Sequence, residues 1–494
     1  MKHHGLQQLR GMEHRNPSEG GRFGRMFPGL SPLYSDPSDL EALGRTNGPI
    51  DDGGADQPTV TLPLGYAFFG QFVDHDITLD TTSSFDAVAD PDAISNFRTP
   101  ALDLDCVYGR GPEASPFLYD DGVKLTLGNP NDHGETGFNL GDDLPRAPGN
   151  KRALIGDPRN DENRIVSQLQ LAMLKFHNAV VDHEAAANPS LSGHDLFVRA
   201  QRTTRWHYQW AIVHDFLPRV AGRLRTARIL AGQRRTGFRP ASLFMPVEFS
   251  VAAYRFGHSL ISSQLSTNDA SVKYKLFEGQ LGPGFAPVTS AANLVNWRLF
   301  FDFPGQPASQ RAMKLDGRLA HGLMALPVAV FGSENSLALR NLKRGLAFRL
   351  PSGEAVAQAL DIPPIAPNQL FPSSVPALGQ LRQRFRHGTP LWFYILREEE
   401  LVQFGEKLGP VGGRIVAETI IVLLERDAES YLGSNPQWKP TLPRLPGKPA
   451  GNFDVADLLG IAGAKHPRTG SEGDPTRRGA LTKPLPDPSP GDSA

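Results

Sequence analysis

Between Asp161 and Glu184, apolar residues return at every third or fourth position: Ile165, Leu169, Ala172, Phe176 and Val180. That period places them on one stripe of an α-helix, whereas the faces of a strand alternate at every second residue. The asparagine and acidic residues at the start of this stretch suit a helix N-terminus. Further helices are expected from near Pro63 through GYAFFGQFVDHDITL, over roughly 197–230, within VEFSVAAYRFGHSLI, and over about 412–432. Alternating patterns are few and short, and no internal repeat is evident. The expected fold is therefore mainly α, a single large helical domain with long irregular loops and little β.

A chain of 494 residues would also accommodate several ordinary domains. Gly (50) and Pro (43) make up about a fifth of it, which suits helices joined by irregular loops. Residues 1–60 read as an extended arm, 61–435 as the main domain, and 436–494 as a Pro-rich segment. In that segment FDVADLLGIAG docks on the body, and disorder is expected after about 465. A net charge of −1 gives no basic excess for nucleic acid or an anionic membrane. The single cysteine, Cys106, allows no internal disulfide. The N-terminal residues lack the apolar segment of a signal peptide, and no stretch of eighteen apolar residues exists. The expectation is a cytoplasmic protein, with leaderless export as the alternative. The oligomeric state is not readable.

Several short segments carry chemistry-bearing residues. In QFVDHD, Gln71 and His75 share a helical face, flanked by Asp74 and Asp76. A histidine among acids is equally a solvated helix end. In GDPRNDEN, Arg159 and Glu162 sit three apart at a helix start, where an ordinary capping segment would also serve. His258 stands on an otherwise apolar segment with Gly257 beside it. A core histidine is the bland reading; a haem iron needs one neutral imidazole in this kind of setting. In TPALDLDCVYG, Thr99, Asp103 and Asp105 alternate, with the Ala101 carbonyl between them. Together with Asp76 they would supply the oxygen ligands that calcium takes, although a polar loop would look the same. Asn341, in NLKRG, could accept the N–H of a ligating histidine or lie in a surface turn.

In order and spacing, this set resembles the animal-type haem peroxidases of the peroxidase–cyclooxygenase superfamily, over roughly residues 25–430. The resemblance implies haem b and Ca²⁺ as cofactors. It implies that His75 is the distal base, with Gln71 near the sixth iron position and Arg159 as the catalytic arginine. His258 would ligate the iron, Asn341 would hold His258, and Arg255 and Arg344 would face the haem propionates. Asp76, Thr99, Ala101, Asp103 and Asp105 would bind calcium, ahead of the Val107–Tyr108–Gly109 triplet. Asp105 replaces a serine common in the family, which should make the site more anionic. Asp74 and Glu162 match the two family positions that form haem esters. Asn163 stands where myeloperoxidase has its methionine link, so no sulfonium bond can form.

The implied activity is reduction of hydrogen peroxide and oxidation of a small donor (a halide, pseudohalide or phenol) through a ferryl intermediate. The runner-up is a fatty-acid dioxygenase of the same superfamily, which uses a tyrosine three residues before the proximal histidine. Arg255 holds that position here. Tyr254 comes one residue too early, about 100° away on an α-helix, and should face elsewhere. A calcium-stabilised, non-catalytic binding protein is the alternative from another class.

Overall fold

The computed structural model describes residues 21–79, 96, 98–128, 142–240, 243–278, 281–282, 284–289, 293–327, 334–449 and 451–463. The first twenty residues of the expected arm and the expected disordered tail lie outside the described residues, as do parts of the long loop. Helices dominate, and the described strands form three short two-stranded sheets. Among the described residues, no helix is long and apolar enough to cross a membrane.

The helix Gly65–Ile77 lies at the centre of the packing. It follows the strand Pro58–Pro63, which pairs antiparallel with Arg311–Met313. Apolar residues surround it, so nearly every side chain is buried. Phe69 and Phe72 meet Tyr208 edge-on, and Phe69 also meets Phe216. Burial of each such ring stabilises the body by roughly 1.5–3 kcal/mol. The chain leaves the helix at Thr78, whose hydroxyl donates to the Asp74 carbonyl at 2.9 Å.

The long amphipathic helix spans Arg164–Ala187 and starts three residues later than the periodicity suggests. Asn163 caps it, accepting from the Val166 N–H at 3.0 Å. The preceding residues Pro158–Asp161 form a 3-10 turn of their own, capped by Asp157. The expected helix over 197–230 is divided. A regular part, Gly193–Ala211, passes into π-turns at Ile212–Phe216 and Pro218–Gly222, and then into Arg223–Leu230. Pro218 lacks an N–H, and Gly222 adopts φ +95°, so the ladder is interrupted there.

The segment around His258 is also irregular. A π-turn, Glu248–Ala252, gives way to a 3-10 helix, Ala253–Leu260, across a break at Ala252. The last long helix, Pro410–Arg426, ends sooner than expected, and the short Tyr431–Ser434 turn follows. The arm contains a helix that its weak periodicity conceals, Pro37–Gly44, capped by Asp36 and packed against Leu337–Ala347. Residues Phe23–Gly24 add a parallel pairing with Met245–Pro246, and the Glu248 carboxylate accepts from the Met26 N–H at 2.8 Å. The apolar island near the C-terminus forms the helix Val455–Ile461 with a capping box. It packs on Arg164–Ala187 and Gly193–Ala211.

Gly65 places the His75 helix against the chain at Phe300–Phe301. A methyl group there would press into the Phe301 ring and come within 2.6 Å of the Phe300 carbonyl. Gly65→Ala should destabilise the fold by about 1–3 kcal/mol, read as a lower denaturant midpoint with an unchanged slope. An unaltered midpoint would contradict this packing.

Candidate active site

A cavity of about 630 Å³ opens between the His75 helix and the His258 segment. Both histidines line it, as do Gln71, Asp74, Arg159, Glu162, Tyr254 and Arg255. The rest of the wall is largely apolar, including Phe68, Phe277, Leu281 and Leu326. That combination and size suit a largely apolar ligand oriented by a few polar groups.

The tautomer of His75 follows from a chain of hydrogen bonds. Gln170 Nε2 donates to the Cys106 carbonyl at 3.2 Å. Gln170 Oε1 accepts from Asn160 Nδ2 at 2.7 Å. Asn160 Oδ1 is thereby left to accept from His75 Nδ1, at 2.7 Å. The His75 proton therefore sits on Nδ1, and Nε2 offers a lone pair, 3.9 Å from Glu162 Oε1. Burial, and next the charge of Arg159, lower the His75 pKa to about 3. The ring is neutral.

Arg159 does not pair with Glu162, as their spacing suggests. Its Nη2 donates to Asp157 Oδ2 (2.7 Å), the Thr78 carbonyl (2.6 Å) and the His75 carbonyl (3.0 Å). Among the described residues Nη1 has no partner, and the side chain lines the cavity. Asp157 is fully buried. Burial would raise its pKa, but the Arg159 and Arg98 guanidiniums overcome this and hold it well below the usual carboxylate range. Arg98 completes the network: it pairs with Asp157 at 2.6 Å and with Asp105 at 2.8 Å.

Gln71 donates to Glu162, and Asn163 Nδ2 reaches Gln71 Oε1 at 3.4 Å. Glu162 faces the cavity, which leaves 39% of its side chain exposed. Burial raises its pKa to about 7, against the opposing charge of Arg159. Asp74 is raised by burial too, with Arg159 and Arg255 opposing.

On the other wall, the Asn341 amide lies 2.9 Å from His258 Nδ1 and is itself 1% exposed. Its oxygen accepts from Arg255 Nη1 at 3.3 Å. Burial, then Arg255, lower the His258 pKa to about 3. A Cβ on Gly257 would meet nothing within 4 Å, so the cavity is open beside His258. Arg344 departs from expectation. It stands over the Phe348 ring at 5.0 Å and is not part of the cavity wall.

Tyr254 departs as well, because it lines the cavity. Its ring stacks on Phe249 at 4.6 Å, and its hydroxyl donates to the Gly70 carbonyl at 3.2 Å. The α-helical rotation that would have turned it away does not apply. The segment is 3-10 with about three residues per turn, and it follows a backbone break.

Asp76, Asp103 and Asp105 converge, with ligand oxygens within 4.8 Å of one another. Leu104, in the left-handed region at φ +61°, turns the loop between the last two. Its N–H donates to Asp76 at 3.3 Å, and Thr99 donates to Asp103 at 2.9 Å. Ala101 lies on the same loop. Burial, then the mutual repulsion of the acids, pushes the Asp76 carboxyl well up. Asp105 is raised to about 7 by burial in spite of Arg98. Such a donor set suits a hard divalent cation. The extra charge expected from Asp105 is offset by its buried partner Arg98.

Asn160, Gln170, Asp157 and Arg98 were not singled out from the sequence. Asn160 and Asp157 lie inside the GDPRNDEN segment, so that segment was the available signal.

Residues 81–281 match a family model described as animal haem peroxidase. Chorion peroxidase of Drosophila melanogaster is 24% identical over 353 residues, 67% of this chain and 42% of that protein. Eosinophil peroxidase of Mus musculus is 25% identical over 194 residues, 38% of this chain and 24% of that protein. The chain thus spans less than half the length of these curated relatives. Among solved structures, peroxidase A from Dictyostelium discoideum superposes with a TM-score of 0.55 at 15% identity, covering 85% of this chain and 90% of that one. A fatty acid alpha-dioxygenase from Oryza sativa gives 0.57 at 17% identity, covering 91% and 80%. At these identities the structural likeness is one of fold.

Glu162 leaves a signature of its own. The unfolded carboxyl ionises near its ordinary value of 4.5, and burial raises the folded one to about 7. A raised acid pKa contributes stability that is complete below the lower value and is lost as pH rises through the higher one. Melts across about pH 5 to 8 should therefore show the parent losing ground to Glu162→Gln as pH rises. Parallel curves would contradict the assignment.

Proposed function

We propose that the chain is an animal-type haem peroxidase that reduces hydrogen peroxide and oxidises a small anionic or phenolic donor, a reading supported by its likeness to the animal haem peroxidase family model and to chorion and eosinophil peroxidases. The observation that carries this reading is the neutral His75, with its Nε2 lone pair free, in the same cavity as His258 and Arg159. A flat cofactor fits the residues present: the wall is open beside Gly257, and among the described residues His258 Nε2 makes no hydrogen bond.

His258 would hold the haem iron through Nε2. Its Nδ1 lies 2.9 Å from the Asn341 amide nitrogen, and that contact orients the ring. The haem, when bound, supplies the oxidising chemistry. The protein's own groups move the proton and balance the charge. His75 Nε2 takes a proton from the near oxygen of peroxide and returns it to the far one, as base and then acid. The free Nη1 of Arg159 stabilises negative charge on the departing oxygen. Gln71 assists in orienting the peroxide. Arg255, at the wall, would face a haem propionate. Asp74 and Glu162 both border the cavity, where two ester links to haem would form. Asp76, Asp103 and Asp105, with Thr99 and the Ala101 carbonyl, would hold calcium.

A dioxygenase reading is favoured by Tyr254, which borders the same cavity. The fold likeness includes fatty acid alpha-dioxygenases. Kinetics separate the two. In haem-loaded protein, His75→Ala should lower kcat/KM for hydrogen peroxide by about 10²–10⁴-fold with haem content unchanged. The parent should take up no oxygen with palmitic acid. A His75→Ala variant with full peroxidase activity would contradict the proposal. Oxygen uptake that Tyr254→Phe abolishes would favour the dioxygenase.

A further inference from the structure

A second concavity, of about 360 Å³, is bounded by the helix Arg223–Leu230, by residues from Gln403 to Arg414, and by Arg235 and Ile362. None of its lining residues belongs to the histidine cavity. Six cations line it: Arg223, Arg225, Arg228, Arg235, Lys407 and Arg414. No carboxylate does. Acids and bases are balanced over the whole chain, 52 against 51, so this is a local segregation of charge.

Local ion pairs do not neutralise it. Among the described residues, only Arg414 of the six has a carboxylate within 4 Å, that of Glu418 at 2.6 Å. The others repel one another across the cavity, and low-dielectric walls strengthen their common field.

The cationic lining is built into the backbone. Arg225 donates to the Leu408 carbonyl at 3.2 Å and to that of Ala221. Its guanidinium lies directly on Gly413, where any Cβ would collide with Nη1. The Lys407 stem runs past Gly222 at van der Waals range, its Cδ 3.6 Å from where a Cβ would stand. Burial lowers the Arg225 pKa to about 10, with Glu398 opposing and Arg414 adding to it. A nearby anion would relieve that penalty.

We propose that this cavity binds a phosphate-bearing anion. Guanidinium forks match phosphate oxygens in pairs, and several converging cations favour a multiply charged group over a lone carboxylate. The volume lies within the small-molecule range. Leu224, on the rim, is 64% exposed, and Phe404, next to the lining residue Gln403, is 77% exposed. The phosphate could therefore belong to a soluble ester or to an anionic lipid headgroup.

The test uses the full chain and a double variant, Arg228→Gln with Lys407→Gln. Neither side chain makes a hydrogen bond or ion pair among the described residues, so the fold should be retained, as circular dichroism would check. Inorganic pyrophosphate is titrated calorimetrically, and vesicles of phosphatidylglycerol in phosphatidylcholine are co-sedimented with the protein. The proposal expects saturable pyrophosphate binding that the double variant weakens by about tenfold or more. Vesicle binding that the variant loses and pyrophosphate competes away would identify a lipid source. Pyrophosphate binding without vesicle binding would identify a soluble ester. Equal behaviour of parent and variant toward both probes would overturn the proposal.

Discussion

The buried run of charges Asp105–Arg98–Asp157–Arg159 ties the three-acid cluster to the His75 wall of the candidate site. Arg98 is 7% exposed and Asp157 fully buried, so neither charge could persist there unpaired. Arg98 bridges Asp105 and Asp157 at 2.8 and 2.6 Å, and Asp157 grips Arg159 at 2.7 Å. Loss of one partner from such a pair typically costs about 3–5 kcal/mol, because the other charge is left without compensation. The run links the three-acid cluster to the cavity wall. Among the described residues it also leaves Arg159 Nη1 without a partner, because Nη2 is occupied by Asp157 and two carbonyls and Nε by Asp157.

A second chain of contacts acts on His75 in the same way. The Cys106 carbonyl orients Gln170, Gln170 orients Asn160, and Asn160 selects the tautomer of the histidine. Each step uses a group whose donor or acceptor role is already settled by the step before. Cys106 follows Asp105 directly, so both chains start from the same loop. That loop, turned by the left-handed Leu104, therefore bears on the position of Arg159 and on the protonation of His75 alike.

Much of the wall was legible in sequence because its polar residues are local in the chain. Gln71, Asp74 and His75 share one helix, and Arg159 and Glu162 share one turn. The partners that orient them were not legible, since Arg98 and Gln170 reach the site only through tertiary packing. The helical class followed from apolar periodicity, but the breaks did not. Ala252 interrupts the His258 segment with no proline or glycine to mark it, and Tyr254 reaches the cavity as a result. Pro218 and Gly222 did mark the break in the helix after Gly193. The arm helix likewise carried a local signal, Asp36 as cap followed by Pro37 in the first turn. Arg344 shows the converse: its place in a motif did not bring it to the cavity wall, because its guanidinium packs on Phe348 instead.

The most direct test of the central claim is an absorption spectrum of the purified protein supplied with haem, before and after one equivalent of hydrogen peroxide. The account predicts a high-spin ferric Soret band, from one haem per chain held by His258, that shifts on peroxide addition. A protein that binds no haem, or whose bound haem is unmoved by peroxide, would contradict it.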